Sequence, residues 1–344
     1  MSKKLYIVLA MLLVISMLLP ACSSSSKPNC SKPDVYCVGL VTDVGKVDDK
    51  SFNQSAYEGL MQAKNDLKVY TQYIETTDPK DYAKNIATFA DAKYKVIITV
   101  GSNQTNDAIA AAKKYPDIKF IGIDQSQTEV IPNLTGLNFP EDVGGFLVGA
   151  LAAQMTKSLK IGAVCGTDTV PPLWRYCEGY KAGAAYINPK VEVTVVYHND
   201  LGMDKNFTDP EWGKTTALSM IDKGVDIVFG AGGKTGNDAL DGAAQKGVYA
   251  IGIDADQYYS VPEAKSVMLT SAMKLITPGT FNLVKLAING QFPGGNYEGA
   301  AGIAPYHDLD SKVPDFVKTK MIDIQKQLTD GILKTNVAPA KPAQ

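Results

Sequence analysis

The two halves of this chain repeat one sequence pattern, and this repetition constrains the fold more than any other feature. Residues 96–109 (VIITVGSNQTNDAI) align with residues 226–240 (DIVFGAGGKTGNDAL), each with a glycine after an apolar run and a shared Asn-Asp-Ala. Residues 120–124 (FIGID) likewise align with residues 250–254 (AIGID). Matched blocks in the same order predict two lobes of similar fold, each with polar loops and an aspartate where its strands end.

Short apolar runs alternate with segments of helical spacing along the chain. Residues 38–41 form one such run, and behind it Ala56, Leu60 and Ala63 recur at the spacing of a buried helix face. Strands that alternate with helices of this length form βαβ units. The pattern therefore predicts an α/β fold of two doubly wound parallel-sheet lobes that face each other across a cleft.

The boundaries of the lobes follow from where the pattern restarts, near Asn138. A late strand from residue 266 and another crossing near residue 299 predict that distant segments complete each lobe, which makes a hinge of several crossings. Pro339 and Pro342 are typical of a frayed end. The expected organisation is residues 35–137 plus about 266–298 for lobe I, 138–265 plus about 299–335 for lobe II, and 336–344 as a disordered tail.

The N-terminus has the features of a processing signal. Lys3 and Lys4 precede an apolar run over residues 5–19 that is too short to span a membrane comfortably. The sequence Leu-Pro-Ala-Cys ends at Cys22 and resembles a bacterial lipoprotein signal, which predicts residues 1–21 as the signal peptide, lipid on Cys22 and residues 22–34 as a tether. The alternative is an ordinary secretory signal beside an unrelated cysteine.

Four further cysteines remain in the exported chain, and an even number predicts disulfides. The simplest pairs are Cys30 with Cys37, which would join the tether to the first strand, and Cys165 with Cys177, which would close a strand-to-helix loop. Neither pair has the spacing of a zinc site. Buried free thiols remain the alternative, because sequence does not determine connectivity.

Charge and composition exclude several classes of function. Lysine and arginine number 34 against 36 acidic residues, so no net positive charge favours nucleic acid. Arg175 is the only arginine, which disfavours bidentate recognition of phosphate or guanine. His198 and His307 are the only histidines, so histidine-based metal sites and general-base catalysis have few candidates.

Aromatic and polar side chains follow the predicted strands at the edge where open α/β sheets bind ligands. Phe52 and Asn53 begin the helix behind the first strand, and an aromatic ring beside an amide favours a flat polar ligand such as a nucleobase. Such a ring more often belongs to the core, which is the simpler interpretation of Phe52 alone. The glycine-rich run 230–236 lacks the spacing of a phosphate loop and favours close approach to a neutral ligand.

A purine nucleoside fits these residues with the fewest assumptions. Phe52 and Phe207, one from each lobe, can stack on the base, with roughly 1–3 kcal/mol from each contact. Trp174 is a rival stacking residue. The candidate ligand-binding set is Asp43, Phe52, Asn53, Gln104, Asp124, Trp174, Phe207, Gly230, Gly232, Asp254 and Lys274, in which Asn53 and Asp124 read the base and Asp254 and Lys274 hold the ribose.

Enzyme signatures are absent from the sequence. It contains no G-x-S-x-G, H-E-x-x-H or P-loop motif. Asp48 and Asp49 are a conceivable metal pair, but adjacent carboxylates on a loop are usually solvated. The sequence thus predicts a binding protein with no metal and no cofactor, and not an enzyme.

Residues 43–59, with the run DDKSFNQ at 48–54, resemble the basic membrane protein (BMP) family of purine nucleoside receptor A-like lipoproteins that serve ABC transporters. Similar elements recur over essentially the whole mature chain: Tyr115-Pro116-Asp117, Phe207-x-Asp209, Gly252-x-Asp254 and Ser271-x-x-Lys274. The resemblance implies a type I periplasmic-binding-protein fold and nucleoside binding. It implies stacking by Phe52 and Phe207, base contacts from Asn53 and Asp124, and ribose contacts from Asp254 and Lys274.

The leading hypothesis is a monomeric, lipid-anchored receptor on the outer side of a bacterial cell membrane that delivers nucleosides to an ABC permease. One alternative is a binding protein for a sugar, an amino acid or an autoinducer on the same scaffold. Another is a nucleoside hydrolase in which Asp48 and Asp49 hold a metal.

Overall fold

A computed structural model describes residues 28–199 and 201–343 of the chain. The predicted signal peptide, the lipidation site Cys22 and the first residues of the tether lie outside the described residues. The strands are β1 (Cys37–Val44), β2 (Tyr70–Thr76), β3 (Val96–Val100), β4 (Lys119–Ile123), β5 (Leu134–Asn138), β6 (Lys160–Cys165), β7 (Glu192–Tyr197), β8 (Ile227–Ala231), β9 (Tyr249–Asp254), β10 (Met268–Lys274), β11 (Gly295–Glu298) and β12 (Ala301–Ile303).

Helices connect most of these strands and cover the faces of the sheets. They are α1 (Phe52–Leu67), α2 (Tyr82–Asp91), α3 (Thr105–Lys114), α4 (Glu141–Met155), α5 (Pro171–Ile187), α6 (Met203–Asn206), α7 (Pro210–Asp222), α8 (Gly233–Lys246), α9 (Gln257–Ser260), α10 (Ile276–Ile288) and α11 (Asp315–Thr329). No helix among residues 28–199 and 201–343 combines the length and apolar character needed to cross a bilayer.

The strands form two sheets of corresponding order, one in each lobe. Lobe I has the order β11-β5-β4-β3-β1-β2, and lobe II has β12-β10-β9-β8-β6-β7. Neighbouring strands are parallel except for β12, which is antiparallel to β10. In each sheet the winding reverses between the first strand and the third (β1 and β3, β6 and β8), and such a switch point opens a crevice at the carboxyl ends of the strands.

The chain crosses between the lobes three times in the described residues: between β5 and α4, between β10 and α10, and between β11 and β12. The predicted assignment of residues 266–274 to lobe I is wrong. Strand β10 pairs with β9 in lobe II, with Ser271 opposite Gly252. The strand predicted at residues 266–271 occupies in lobe II the position that β5 occupies in lobe I. It lies beside β9 because consecutive strands usually lie side by side.

Helices α4 and α5 pack with their backbones in close approach, as the glycine-rich sequence of α4 predicts. A Cβ atom on Gly145 would lie 2.1 Å from the carbonyl oxygen of Tyr176, and one on Gly183 would lie 1.9 Å from that of Phe146. Only glycine permits such contact. The pairing brings the first turn of α4, with Glu141, against the first turns of α5.

The C-terminal segment after α11, which includes the predicted tail at residues 336–344, makes side-chain contacts with lobe II. Residues 331–333 form a turn after α11, with N–H groups that donate to the carbonyl oxygens of Leu328 and Gln327. Half-buried and exposed side chains alternate from Leu333 to Val337, which is typical of an extended segment on a surface. Thr335 Oγ1 donates to Asp142 Oδ2 at 2.5 Å, and Lys341 Nζ lies 2.6 Å from Asp168 Oδ2. An extended proline-containing segment needs no internal hydrogen bonds, so side-chain contacts suffice to hold it.

Candidate functional site

A cavity of about 550 Å³ lies between the lobes, at the carboxyl ends of both sheets. Side chains from lobe I and lobe II line it in comparable number. The predicted residues that line the cavity are Asp43, Phe52, Asn53, Asp124, Phe207, Gly232, Asp254 and Lys274. The repeated sequence pattern therefore brings together eight of the eleven candidates in one place.

The floor of the cavity holds two aspartates at corresponding positions. Asp124 directly follows β4 and Asp254 ends β9, and both adopt left-handed backbone conformations with φ of 60° and 63°. Aspartate tolerates this conformation better than most residues, although it still carries strain. The turn directs both carboxylates to the cleft rather than along the sheet.

Each of these aspartates is engaged by the opposite lobe. Asp124, from lobe I, has Oδ2 at 2.5 Å from Nζ of Lys274 at the end of β10 in lobe II. Asp254, from lobe II, accepts a hydrogen bond at Oδ2 from Oγ of Ser51 in lobe I, at 2.8 Å. The floor is thus assembled from both lobes.

Lys274 is buried in a polar and aromatic environment. Its Nζ lies 3.1 Å from Oε1 of Glu141, and its side chain is 2% exposed. The same nitrogen lies 5.2 Å from the centre of the Phe52 ring and 5.5 Å from that of Tyr176, within the range of cation–π contacts. Burial disfavours the charge on Lys274, but Asp124 and Glu141 outweigh it and raise the pKa of the ammonium above its usual value.

Burial also shifts the two aspartates. It raises the pKa of Asp124 to about 7 and that of Asp254 to about 6, although the charge of Lys274 opposes both shifts. Oδ1 of Asp124 is buried and has no hydrogen-bond partner in the described structure. An unpaired buried acceptor is costly, so this atom is available for a donor on a ligand.

Two aromatic rings face the cavity from opposite lobes. Phe52 is the first residue of α1 and packs on the core of lobe I, whereas Phe207 follows α6 and packs on the core of lobe II. Both rings are half-buried and line the cavity. A ring that is supported on one side and free on the other is suited to stacking on a planar ligand.

The loop before α1 is held by carboxylates and amides. Asp49, rather than Ser51, caps the helix: its carboxylate accepts from the backbone N–H groups of Ser51, Asn53 and Gln54 at 2.9–3.0 Å. Asn53 donates from Nδ2 to Asp49 and accepts at Oδ1 from the Asp43 N–H. Asp49 is therefore a buried structural group, and its carboxylate is not free to form a metal pair with Asp48.

Asp43 lies at the edge of the cavity in a tight environment. Its carboxylate accepts hydrogen bonds from the Tyr82 hydroxyl and the Val44 N–H. Burial raises the pKa of Asp43, although these hydrogen bonds oppose the shift. A Cβ atom on Gly101, whose φ is 101°, would lie 2.3 Å from Asp43 Oδ2, so glycine is required where this carboxylate approaches the β3 loop.

Three predicted site residues, Gln104, Trp174 and Gly230, do not line the cavity. Nε2 of Gln104 donates to backbone carbonyls of β1 and β3, so the side chain ties two strand ends together. The ring of Trp174 stacks on Tyr197, with centroids 6.2 Å apart. Gly230 lies within β8, where a Cβ atom would clash with the backbone of Gly236. All three lie near the site in sequence but serve packing.

Several residues in and around the cavity are not among the candidates predicted from the sequence. Tyr176 and Leu173 of α5 line the cavity, and Arg175 between them forms ion pairs with Glu141 and Asp142 at the start of α4. Arg175 is the sole arginine of the chain, and this rarity is its signal in the sequence. Its partners lie some thirty residues away, and only the helix pairing brings them together.

The lobes also meet beside the cavity, where side chains of lobe II hold the loop before α1. Nδ2 of Asn237 donates to the carbonyl oxygen of Asp49 at 2.8 Å. The carbonyl oxygen of Lys50 accepts from Gln257 Nε2 at 3.1 Å and from Ser260 Oγ at 2.8 Å. These contacts describe a closed arrangement of the lobes.

Both cysteine pairs favoured by sequence are disulfides in the structure: Cys30–Cys37 and Cys165–Cys177. The first joins the segment before β1 to that strand. The second joins the end of β6 to α5, and so braces the loop that leads to the cavity wall. Residues 28–199 and 201–343 contain no cluster of three or more side chains suited to hold a metal ion.

Comparisons with known proteins agree with this architecture. A family model described as ABC transporter substrate-binding protein PnrA-like (Bmp) matches residues 37–305. The CD4+ T-cell-stimulating antigen of Listeria monocytogenes is 31% identical over 99% of this chain and 100% of its own length. The ABC transporter nucleoside-binding protein BmpA of Lactococcus lactis subsp. cremoris is 30% identical over 86% of this chain and 88% of its own.

The fold has a counterpart among solved structures. An ABC transporter solute-binding protein from Aeropyrum pernix superposes with a TM-score of 0.78 at 24% identity, over 87% of this chain and 92% of the other. The prediction of two doubly wound lobes in a type I periplasmic-binding-protein fold is confirmed, and so is the resemblance stated from residues 43–59. The chain belongs to the Bmp family and is a PnrA-like substrate-binding protein of an ABC transporter.

Proposed function

We propose that this protein captures nucleosides, purine nucleosides above all, in the interlobe cavity and delivers them to an ABC permease. The observation that carries the proposal is the position of Phe52 and Phe207, whose rings face one cavity from opposite lobes. In this closed arrangement a base held between the lobes has one ring on each face, with roughly 1–3 kcal/mol from each contact. The printed name of the Lactococcus lactis relative, a nucleoside-binding protein, supports the same ligand class.

The polar floor supplies acceptors suited to a nucleoside. Asp254 accepts from ribose hydroxyls, with Lys274 beside it to keep the carboxylate ionised. Oδ1 of Asp124, which has no hydrogen-bond partner in the described structure, accepts from an N–H on the base edge. Lys274 also contacts Asp124 directly. The same ammonium group therefore supports the carboxylate that accepts from the base and the carboxylate that accepts from the ribose.

A nucleoside fits better than a nucleotide. Arg175 does not line the cavity and is engaged by Glu141 and Asp142, so no guanidinium is available for a phosphate. The carboxylates of Asp124 and Asp254 on the floor would repel a phosphate beside them, although Lys46, Lys205 and Lys234 also line the cavity. We therefore expect a 5′-monophosphate to bind less tightly than the nucleoside.

We further propose that the mature chain is anchored by lipid on Cys22 to the outer side of the cell membrane. The basic and apolar N-terminal segment and the serine run after Cys22 support this. Replacing Cys22 by alanine should release the protein from the membrane fraction. A Cys22→Ala protein that remains there would contradict the anchor.

Titration calorimetry tests the ligand class. We expect heat from guanosine and inosine, less from guanosine monophosphate, and none from ribose or amino acids. Phe52→Ala should weaken guanosine binding at least tenfold, because a lost stack of about 1.4 kcal/mol corresponds to that factor. Phe316→Ala, at an exposed position on α11, is the matched control.

Three outcomes would contradict the proposal. Binding of a sugar or an amino acid without nucleoside binding would favour the other ligand classes. Release of free base during incubation with guanosine would indicate a hydrolase. An unchanged dissociation constant in Phe52→Ala would remove the stacking role.

A further inference from the structure

The C-terminal segment contacts two points that flank the lobe II wall of the cavity. Thr335 Oγ1 donates to Asp142 at the start of α4, and Lys341 Nζ lies 2.6 Å from Asp168 in the loop between β6 and α5. Asp168 is 9% exposed on its side chain, so the ion pair is shielded on the aspartate side. Leu333 packs against the core of lobe II just before these contacts.

The loop that Lys341 contacts leads directly into the binding site. It begins at the disulfide cysteine Cys165 and continues into the first turn of α5, where Val170 and Leu173 line the cavity. The first turn of α5 is closed by the N–H groups of Leu173 and Trp174, which donate to the carbonyl oxygen of Val170 at 3.0 Å. A change in this loop therefore moves the cavity wall.

The contact at Asp142 belongs to the network beneath the floor. Asp142 accepts from Thr335 through Oδ2 and forms an ion pair with Arg175 through Oδ1. Arg175 also pairs with Glu141 at 2.8 Å, and Glu141 in turn lies 3.1 Å from Lys274. The segment thus touches both the loop in front of α5 and the carboxylates that orient the buried lysine.

We propose that residues 335–341 form a C-terminal strap that positions the first turns of α5 and so shapes the lobe II wall of the ligand cavity. The strap contacts described above are to Asp168 and Asp142, neither of which lines the cavity, and the strap acts through these two residues. In its absence the shielded carboxylate of Asp168 loses its cationic partner. The loop then keeps only the disulfide and a few hydrogen bonds near its start, from Thr167 Oγ1 and the Asp168 N–H to Asn199 Oδ1 and from the Gly166 N–H to the Ala231 carbonyl oxygen. The wall then becomes more mobile, and ligand binding must first order it.

Hydrogen exchange of the ligand-free protein tests the strap without reference to any ligand. We expect the peptide covering residues 166–177 to exchange roughly tenfold faster in a chain that ends at Lys334, and roughly threefold faster in Lys341→Met. The peptide covering residues 96–104 in lobe I should exchange at the unchanged rate. Lys326→Met removes an exposed ion pair with Asp330 on α11 and serves as the matched control.

Guanosine binding provides the second readout, and this part depends on the proposed function. The shortened chain should bind guanosine roughly tenfold more weakly, mainly through faster dissociation. Unchanged exchange of residues 166–177 in both variants would overturn the strap, and if the shortened chain does not fold, Lys341→Met alone decides. Faster exchange in a protein whose unaltered form binds no nucleoside would refute the ligand class and leave the strap intact.

Discussion

The two lobes have corresponding sheets but differ in how their floor aspartates are held. Asp124 in lobe I forms an ion pair with the buried Lys274, whereas Asp254 in lobe II accepts one hydrogen bond from the hydroxyl of Ser51. Both residues share the left-handed turn at the end of equivalent strands. The scaffold is thus repeated, while the groups that engage the two carboxylates are not.

This difference indicates how a repeated fold acquires an asymmetric site. In each case the engaging group comes from the other lobe, so the chemistry of the floor exists only when the lobes meet. A charged partner and a neutral partner make the two carboxylates distinct, and the ligand that we propose, a nucleoside, likewise has two distinct polar ends. Substitutions near the aspartate of one lobe can therefore be compared, in stability and in ligand affinity, with substitutions near the aspartate of the other.

Removing the cation at Asp124 should have the largest effect. Lys274→Met leaves Asp124 buried without its cation and leaves Glu141 with Arg175 as its remaining cationic partner. We expect this to lower the free energy of unfolding by about 3 kcal/mol, toward the low end for broken buried ion pairs because Asp124 readily takes up a proton. Guanosine binding should be lost in calorimetry. Lys285→Met, at an exposed position on α10, is the control, and a Lys274→Met protein of unchanged stability and affinity would contradict the account.

Removing each disulfide in turn should distinguish an effect on stability alone from an effect on both stability and ligand affinity. Replacing both Cys165 and Cys177 by alanine should lower the free energy of unfolding by about 2–3 kcal/mol, as loops of this size predict, and should weaken ligand binding because the loop leads to the cavity wall. Replacing both Cys30 and Cys37 should lower stability comparably and leave affinity unchanged. Denaturant unfolding and calorimetry measure the two effects, and equal loss of affinity in both double variants would contradict this distinction.

Removing the hydroxyl at Asp254 should have a smaller effect than removing the lysine at Asp124. Ser51→Ala leaves a buried carboxylate oxygen without its donor, at an expected cost of about 1.5–2 kcal/mol in the free energy of unfolding. Ser51→Thr keeps the hydroxyl and should restore most of the loss, whereas Ser219→Ala on the surface of α7 should have no effect. A Ser51→Ala loss as large as that of Lys274→Met would remove the asymmetry between the lobes.

Acidification should change affinity and stability in opposite directions. The pKa of Asp254 is about 6 in the folded chain, above the usual value, so the folded protein takes up this proton before the unfolded chain does. The contribution of Asp254 to stability therefore rises as pH falls through 6 toward ~4. A ribose hydroxyl prefers the ionised carboxylate, so guanosine affinity should fall about tenfold between pH 7.5 and pH 5.

Calorimetry across this pH range checks the affinity, and thermal unfolding of the ligand-free protein checks the stability. In Lys274→Met the loss of the cation should raise the pKa of both aspartates further. The rise in stability on acidification should then begin at a higher pH than in the unaltered protein. Guanosine affinity that stays constant from pH 7.5 to pH 5 in the unaltered protein would contradict an ionised Asp254 as a ligand group.

Much of the fold was predictable because its signals are local and repeated. Apolar runs, helical spacing and the matched segments ending at Asp124 and Asp254 depend only on neighbours in the chain. Strand β10 was assigned to the wrong lobe because its partner β9 is chosen by tertiary pairing. The contacts of Thr335 with Asp142 and of Lys341 with Asp168 could not be predicted, because contacts with distant residues leave no periodic pattern in the sequence.

Site residues that follow a strand could be predicted from the sequence, whereas residues brought together by the packing of two helices could not. Phe52 and Asp254 could be identified from their place at a strand end. Gln104 and Trp174 occupy similar places, yet their side chains turn to the backbone and to Tyr197, and the sequence contains no signal for that choice. Arg175 and Glu141 were missed since their contact depends on the close packing of α4 and α5.

A crystal structure of the protein with guanosine bound tests the central claim most directly. The account predicts the base between the rings of Phe52 and Phe207, with ribose hydroxyls about 2.5–3.0 Å from the carboxylate of Asp254. A base that lies outside the cavity, or a Phe52 ring turned into its own lobe with no contact to the ligand, would contradict it.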